Sequence, residues 1–528
     1  MKYFCVALLL SAAGLAQDIS GERIRYHTKF LASDLLEGRG VGTRGGDLAT
    51  EYLATQLALA GAKPAGDNGT WYQRVPLVGS ETKPTSQLSA LVSGKSVPFQ
   101  WATEFTGVTL RQTPEVEFDA EAVFVGHGIT APEFDHEDYK DIDVKGKVVV
   151  LFTNEPPSTD PKFFGGPALT YYGRWTYKYE EAIRRGAVAA LIIHTTPTAG
   201  YGWEVVRSSW GKEDPQVRIA AGATTLALAG WLTDKAADTV LAPAGYSAAA
   251  LLQKADTPGF RAFPLNLRFS GRISSAIREI ETRNVVGIMA GSDPQATDQA
   301  VVFSAHWDHL GIGEPVNGDR IHNGAVDNAT GCAILLELAR AWGALSPKPR
   351  RSAIFVSVTA EEGGLRGSEY YGQHPYFPVS GTAANLNFDG FAPFGRTKDI
   401  SVGGAERTTM WPTVQAIAKR FNYEIKPDPH PEQGHYFRSD HFSMAKVGIP
   451  AFSINQGDEF WGKPAGYGEQ IFKEFNDKHY HQPSDEYHED WDFSGLEHIA
   501  RFGMALGIEI ANQRKLPDWA PGDSFKRP

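Results

Sequence analysis

Residues 300–309 read AVVFSAHWDH, and residues 323–342 read NGAVDNATGCAILLELARAW. The first stretch opens on an apolar run without alternation, the pattern of a strand buried on both faces. In the second, Ala329, Cys332, Ala333, Leu336 and Ala339 fall on one helical stripe, and Leu335, Leu338 and Trp342 on another. A helix so widely apolar belongs deep in a layered fold. Three further short apolar runs follow: SAIFVSV (352–358), ANLNF (384–388) and IPAFSI (449–454). Strands alternating with helices from about residue 269 predict a three-layer α/β domain.

Candidate functional residues sit at the ends of these runs. His306 follows VVFSA, Glu362 follows AIFVSVTA and Asp389 follows ANLNF; Asp327 precedes the buried helix, and His481 lies far down the chain in HYHQPSDEY. In open α/β sheets, ligands gather at the carboxyl ends of strands. Two imidazoles and three carboxylates are a donor set for a pair of borderline divalent ions such as Zn²⁺. In a site for two ions, one carboxylate must bridge. The adjoining Glu361 is then a spare carboxylate able to move a proton on an attacking water, which points to a hydrolase. Singly, each motif has an ordinary reading: HxD as a satisfied pair, Glu-Glu as a solvated face, DNATG as a helix start, HQPSD as a turn. Their occurrence in order at strand ends of one unit carries the inference.

The chain has 528 residues, enough for two or three domains. A formal charge of −11 argues against a nucleic-acid binder. Lys2, the apolar run Phe4–Leu10 and the small residues Gly14 and Ala16 predict a signal peptide over 1–16, cleaved before Gln17. The expected location is therefore periplasmic or extracellular, in the manner of a bacterial exported enzyme. That run is too short to span a bilayer, and no later run suffices, so no membrane span is expected. Of the two cysteines, Cys5 would leave with the signal and Cys332 is read as a buried helical thiol, so no intrachain disulfide is expected.

Upstream, LEGRGVGTRGG reads as a glycine- and arginine-rich loop, lacking the strand context of a nucleotide fingerprint. The helix after it offers two faces, Leu48, Tyr52 and Leu59 or Leu53 and Leu57, and ends at Gly61. Residues 70–116 read as irregular and β-rich. Over 117–268, AEAVFVGHGI, VKGKVVVLFTNEPP and EEAIRRGAVAALIIHTT give a strand–turn–strand–helix–strand rhythm, a small separate domain. His127, His136 and His194 lack ligand spacing there. The final LPDWAPGDSFKRP, 516–528, reads as loose, with the tail set at 517–528.

The strings SAHWDHLG, NGAVDNATG, TAEEGGLRGS, LNFDG and YHQPSDEY resemble the co-catalytic dizinc aminopeptidase family, which also includes glutamate carboxypeptidase II and the transferrin-receptor ectodomain. FVGHGITAPEFDHEDYKDIDVKGKVVVL resembles a protease-associated (PA) domain. The resemblance implies a three-layer αβα zinc exopeptidase fold with a mixed central sheet, formed by 17–116 and 269–516, and a small β-rich PA insert at 117–268. It also implies two Zn²⁺ per chain. Asp327 would bridge them, His306 and Asp389 would hold one, and Glu362 and His481 the other. Glu361 would be the general base and Tyr480 the donor to a developing oxyanion. Asp308 would orient His306, and the bond after Asp327 would be cis.

Arg438, Asp440 and His441, in RSDH, are expected to touch substrate or support the ligands. His309, His322 and His479 are expected to be wall or structural residues. The function expected is an exported aminopeptidase acting on a peptide substrate. The alternatives are a glutamate-carboxypeptidase-like exopeptidase and a non-catalytic receptor-like binding protein. A glutaminyl-cyclase-like reaction is disfavoured, because those relatives work with one zinc.

Overall fold

The computed structural model describes residues 19–526. The leader expected at 1–16, with Cys5, lies outside the described residues. Contacts divide the chain into two units. One comprises the chain up to Val75, Glu281–Asp428 and the chain from Arg438; the other comprises Pro76–Ile280 and Pro429–Phe437. Residues 76–116 and 269–280, assigned above to the peptidase-like domain, pack with the inserted unit. The reason is pairing: Gln87–Arg272 through Leu91–Arg268 joins one of these segments to the other, and Glu115–Phe124 pairs with the same long strand. Irregular β-sequence carries no apolar period strong enough to reveal that register.

The first unit is built on a mixed sheet. Its strands are β1 (Lys63–Pro64), β2 (Phe263–Met289, joining through Val285–Met289), β3 (Ala300–His306), β4 (Ser352–Val358), β5 (Thr382–Phe388), β6 (Asp399–Gly403), β7 (Glu424–Ile425) and β8 (Ala451–Gln456). The spatial order is β1-β2-β4-β3-β5-β8-β6-β7. β4, β3, β5 and β8 run parallel, so their carboxyl ends share one edge.

Helices α1 (Gly21–Leu31), α2 (Arg44–Leu59), α3 (Thr330–Gly343) and α4 (Ser494–Asn512) pack together, and α3 and α4 lie on β3 and β5. Period-two alternation sorts the strands. Val301, Phe303 and Ala305 of β3, and Ala384, Leu386 and Phe388 of β5, join this helical layer in one core. Each fully buried Leu or Phe there contributes about 1.5–3 kcal/mol. The intervening Ser304, Asn385 and Asn387 are buried but polar and bond one another: Ser304 Oγ donates to Asn387 Oδ1 at 2.7 Å, and Asn385 Nδ2 donates to Ser304 Oγ at 2.9 Å. A short helix at His441–Lys446 lies against β5 and β8. In α2 the buried face is Ala49, Leu53 and Leu57, while Leu59 is 76% exposed; contact with α3 chooses between the two stripes.

The C-terminal segment is anchored, not loose. Trp519 is buried and its indole donates to Gly448 O at 3.1 Å, while Arg407 binds Asp523 with two bonds of 2.8 and 2.9 Å. A single buried tryptophan leaves no periodic signal, so composition alone suggested a tail.

In the second unit, Val148–Leu151, Ala189–His194 and Leu228–Thr233 are parallel neighbours. His127 is buried between Asp256 Oδ1 (2.9 Å) and Thr153 O (3.1 Å). No helix among the described residues is long and apolar enough to cross a membrane.

His498 on α4 gives a pH prediction. Burial and the nearby Arg396 charge lower its imidazole from 6.5 to about 4. The unfolded ring binds a proton below about 6.5 and the folded ring resists until about 4. Its contribution is therefore intact above 6.5 and lost as pH falls towards 4. Urea midpoints measured across that window are expected to fall with pH, and His498→Gln is expected to flatten the slope.

Candidate metal centre

Three strand ends and two loops build the site. His306 is the last residue of β3, Asp389 follows β5, and Glu361 and Glu362 follow β4 after the turn at Thr359 and Ala360. Asp327 sits in the turn Ala325–Ala329 that leads into α3, and the Asp327–Asn328 bond is cis. That turn is cradled by Asp485, whose carboxylate accepts from Val326 N (3.0 Å) and Asp327 N (3.1 Å). Asn328 ties it to β5 through Phe388 O at 3.0 Å. His481 and Asp485 belong to one loop, so a single segment supplies a candidate ligand and the support of another.

The donor atoms fall into two triangles. His306 Nε2 lies 3.1 Å from Asp389 Oδ1 and 3.2 Å from Asp327 Oδ1. His481 Nε2 lies 3.0 Å from Glu362 Oε2 and 3.4 Å from Asp327 Oδ2. Asp327 thus turns one oxygen to each histidine. Two donors at tetrahedral angles on one zinc, each about 2.0–2.1 Å from it, stand roughly 3.3 Å apart, so both triangles could hold such an ion. A further grouping of His309, Asp327 and Glu362 is also compact enough for an ion. Within it, His309 Nδ1 stands 2.6 Å from Glu362 Oε1, the length of a short, charge-assisted hydrogen bond.

The electrostatics are those of crowded carboxylates. Burial would lower the His306 imidazole, but Asp389, Glu361 and Asp327 outweigh it and hold it well above the usual value. Burial pushes the Glu361 carboxyl well up, opposed by His306 and helped by Asp389, Glu362 and Asp440. Burial, then the charges of Asp327, Glu362 and Glu361, keeps the Tyr480 hydroxyl protonated as a donor. The Tyr480 ring is 48% exposed and stacks on His481 with centroids 3.9 Å apart.

Asp308 acts differently from the role the resemblance implies, and burial narrows the choice for RSDH. The Asp308 carboxylate lies 3.9 Å from His306 Nδ1, beyond hydrogen bonding; the ring's partner is the Asp308 main-chain carbonyl at 3.2 Å. That carboxylate instead accepts from Glu361 N at 3.1 Å. In RSDH, Arg438 is exposed, but Asp440 and His441 have no exposed surface, which closes direct substrate contact to them. Ser439 is the member that reaches the cluster: it donates to Asp389 Oδ2 and accepts from Asn387 Nδ2 at 2.8 Å, ending the polar ladder of β3 and β5.

Arg39, in LEGRG, carries no sequence signal of its structural role. It is 1% exposed and donates to four main-chain carbonyls: Trp307 O (2.7 Å), Leu31 O (2.7 Å), Asn323 O (2.6 Å) and Gly324 O (2.9 Å). It therefore pins the loop of His306 to the loop of Asp327. Its glycines are needed for this approach: a Cβ on Gly38 would lie 2.5 Å from His322 O, and one on Gly46 2.9 Å from the Trp307 ring. Arg39→Met would orphan the four carbonyls and is expected to cost about 3–5 kcal/mol. Urea unfolding checks this; a loss below about 1 kcal/mol would show the staple to be dispensable.

The model of Peptidase family M28 matches residues 284–506. The chain is 31% identical over 180 residues to the aminopeptidase NAALADL1 of Mus musculus, a match covering 29% of this chain and 22% of that protein. It is 33% identical over 135 residues to a probable glutamate carboxypeptidase of Arthroderma benhamiae, covering 24% and 17%. The chain thus spans about a fifth of the length of these curated relatives. Among solved structures, an aminopeptidase from Aneurinibacillus sp. strain AM-1 shares the fold, with a TM-score of 0.50 and 18% identity over 95% of this chain and 96% of that one.

Proposed function

From the premise that residues 284–506 form a domain of peptidase family M28, we propose that the chain is a zinc-dependent exopeptidase, and that it removes the N-terminal residue of peptides. The observation that carries this is the placement of Asp327, with Oδ1 at 3.2 Å from His306 Nε2 and Oδ2 at 3.4 Å from His481 Nε2. In this reading His306, Asp389 and Asp327 hold one zinc, and His481, Glu362 and Asp327 the other. Bound there, two zinc ions would lower the pKa of an attacking water and polarise the scissile carbonyl.

The remaining roles fall to the chain itself. Glu361, held by its main chain to Asp308, accepts the proton of the attacking water and passes it to the leaving amine. Tyr480, kept protonated, donates to the oxyanion as the carbonyl carbon becomes tetrahedral. A free α-ammonium suits the half-buried carboxylates of Asp389, Glu361 and Glu362. The leader at 1–16 supports export of the enzyme, and the unit over 76–280 is taken as a PA-like insert.

A glutamate-carboxypeptidase-like reading is kept open by Arg438, exposed next to Ser439 and suited to a substrate carboxylate. Offering aminoacyl-p-nitroanilides beside N-blocked peptides ending in glutamate separates the two. Turnover of the first class is expected; turnover of the second alone would overturn the aminopeptidase assignment. A zinc-free, chelator-indifferent preparation would favour the receptor-like reading instead.

A further inference from the structure

The geometry points to His309 as the residue that holds Glu362 in one-oxygen contact with the second ion, as a hydrogen-bond donor and not as a ligand. This rests on the reading of Glu362 and His481 as that ion's ligands. The His309 side chain is wholly buried, and Nδ1 stands 2.6 Å from Glu362 Oε1. If both atoms bound one ion at about 2.05 Å, the angle between them would close to roughly 80°, well under tetrahedral. As a hydrogen bond the distance is at the short end for a carboxylate acceptor.

The proton assignment follows from the partners. Glu362 accepts and cannot donate as a carboxylate, so the proton of this contact sits on His309 Nδ1. Nδ1 then has no lone pair to give a metal. His309 Nε2 is buried with no hydrogen-bond partner. The ring is also fixed from behind: a Cβ on Gly324 would come within 2.5 Å of it, so only glycine lets the chain pass three residues before Asp327.

The consequence is a division of labour within Glu362. Oε1 is occupied by His309, which leaves Oε2, 3.0 Å from His481 Nε2, to face the ion alone. A carboxylate free to rotate could chelate through both oxygens and fill the position that substrate needs. HWDH is thereby a single tetrapeptide serving both halves of the site, through the His306 ring on one side and the His309 ring on the other.

The test compares His309→Ala, which removes the donor, with His309→Asn, whose amide can place an N–H near the Nδ1 position. Zinc binding is followed by competition with a chromophoric chelator, and imidazoles per zinc are counted by X-ray absorption on the zinc-loaded wild type. Expected are two ions in wild type, an average of one imidazole per zinc, and a roughly 10–100-fold weaker second ion in His309→Ala. His309→Asn is expected to recover most of that loss, and the first ion is expected to be unchanged in both. Wild-type affinity for the second ion in a folded His309→Ala would overturn the inference, as would an average near one and a half imidazoles per zinc. The absorption count decides even if His309→Ala does not fold. A wild type that binds fewer than two ions would instead remove the two-ion reading beneath it.

Discussion

Glu361→Gln is expected to retain both zinc ions and to lose roughly 10²–10⁴ in kcat, the range of a positioned general base. The amide is nearly isosteric, and its main-chain bond to Asp308 is untouched by the change. None of the close donor contacts in the two triangles involves Glu361, so metal binding should survive. What disappears is the ability to take a proton from water and return it to the amine. Because the step is lost in the transition state, kcat should fall while KM stays close to wild type. Zinc analysis and steady-state kinetics on the same preparation check both halves. Activity within a few-fold of wild type would remove Glu361 from the mechanism.

Asp327→Ala is expected to have the widest effect, bringing zinc content from two to at most one and peptidase activity to background. Among the described residues, Asp327 is the carboxylate with an oxygen within 3.4 Å of both His306 and His481. Removing it strips a donor from each triangle and leaves the remaining carboxylates facing one another. The fold should persist, since Asp485 grips the turn through the main-chain N–H groups of Val326 and Asp327, which alanine retains. A bound ion stabilises the protein by RT ln(1 + [L]/Kd), about 2.7 kcal/mol at a hundredfold excess over Kd. Chelation should therefore lower the Tm of wild type by more than that of Asp327→Ala. Two zinc ions retained by a folded Asp327→Ala protein would rule out the bridging role.

The two predictions draw on residues whose chemistry was legible early. His306, Asp327, Glu362, Asp389 and His481 each sit in a short motif at a strand end or loop, and β3, β4 and β5 show as unbroken apolar runs. Supporting contacts were less legible. The resemblance implies that Asp308 orients His306, yet its carboxylate serves the main chain of Glu361. In RSDH the residue in contact with the cluster is Ser439, the least distinctive of the four as a sequence signal. Asp485 was in view inside YHQPSDEY, but nothing in spacing links it to the N–H groups of a turn more than 150 residues earlier.

Sequence alone thus determined the chemistry and the layering. Donor types are fixed by side-chain identity, and burial on both faces leaves its mark as an apolar run. Tertiary structure decided everything that depends on which atom meets which. It selected the Leu53–Leu57 face of α2 over its rival, anchored Trp519, and turned the glycine-rich loop at Arg39 into a clamp between the loops of His306 and Asp327. The physical reason is one of range. Periodicity reports a residue's neighbours along a helix or strand, whereas hydrogen bonds to main-chain carbonyls form between any segments the fold brings together, and leave no period behind.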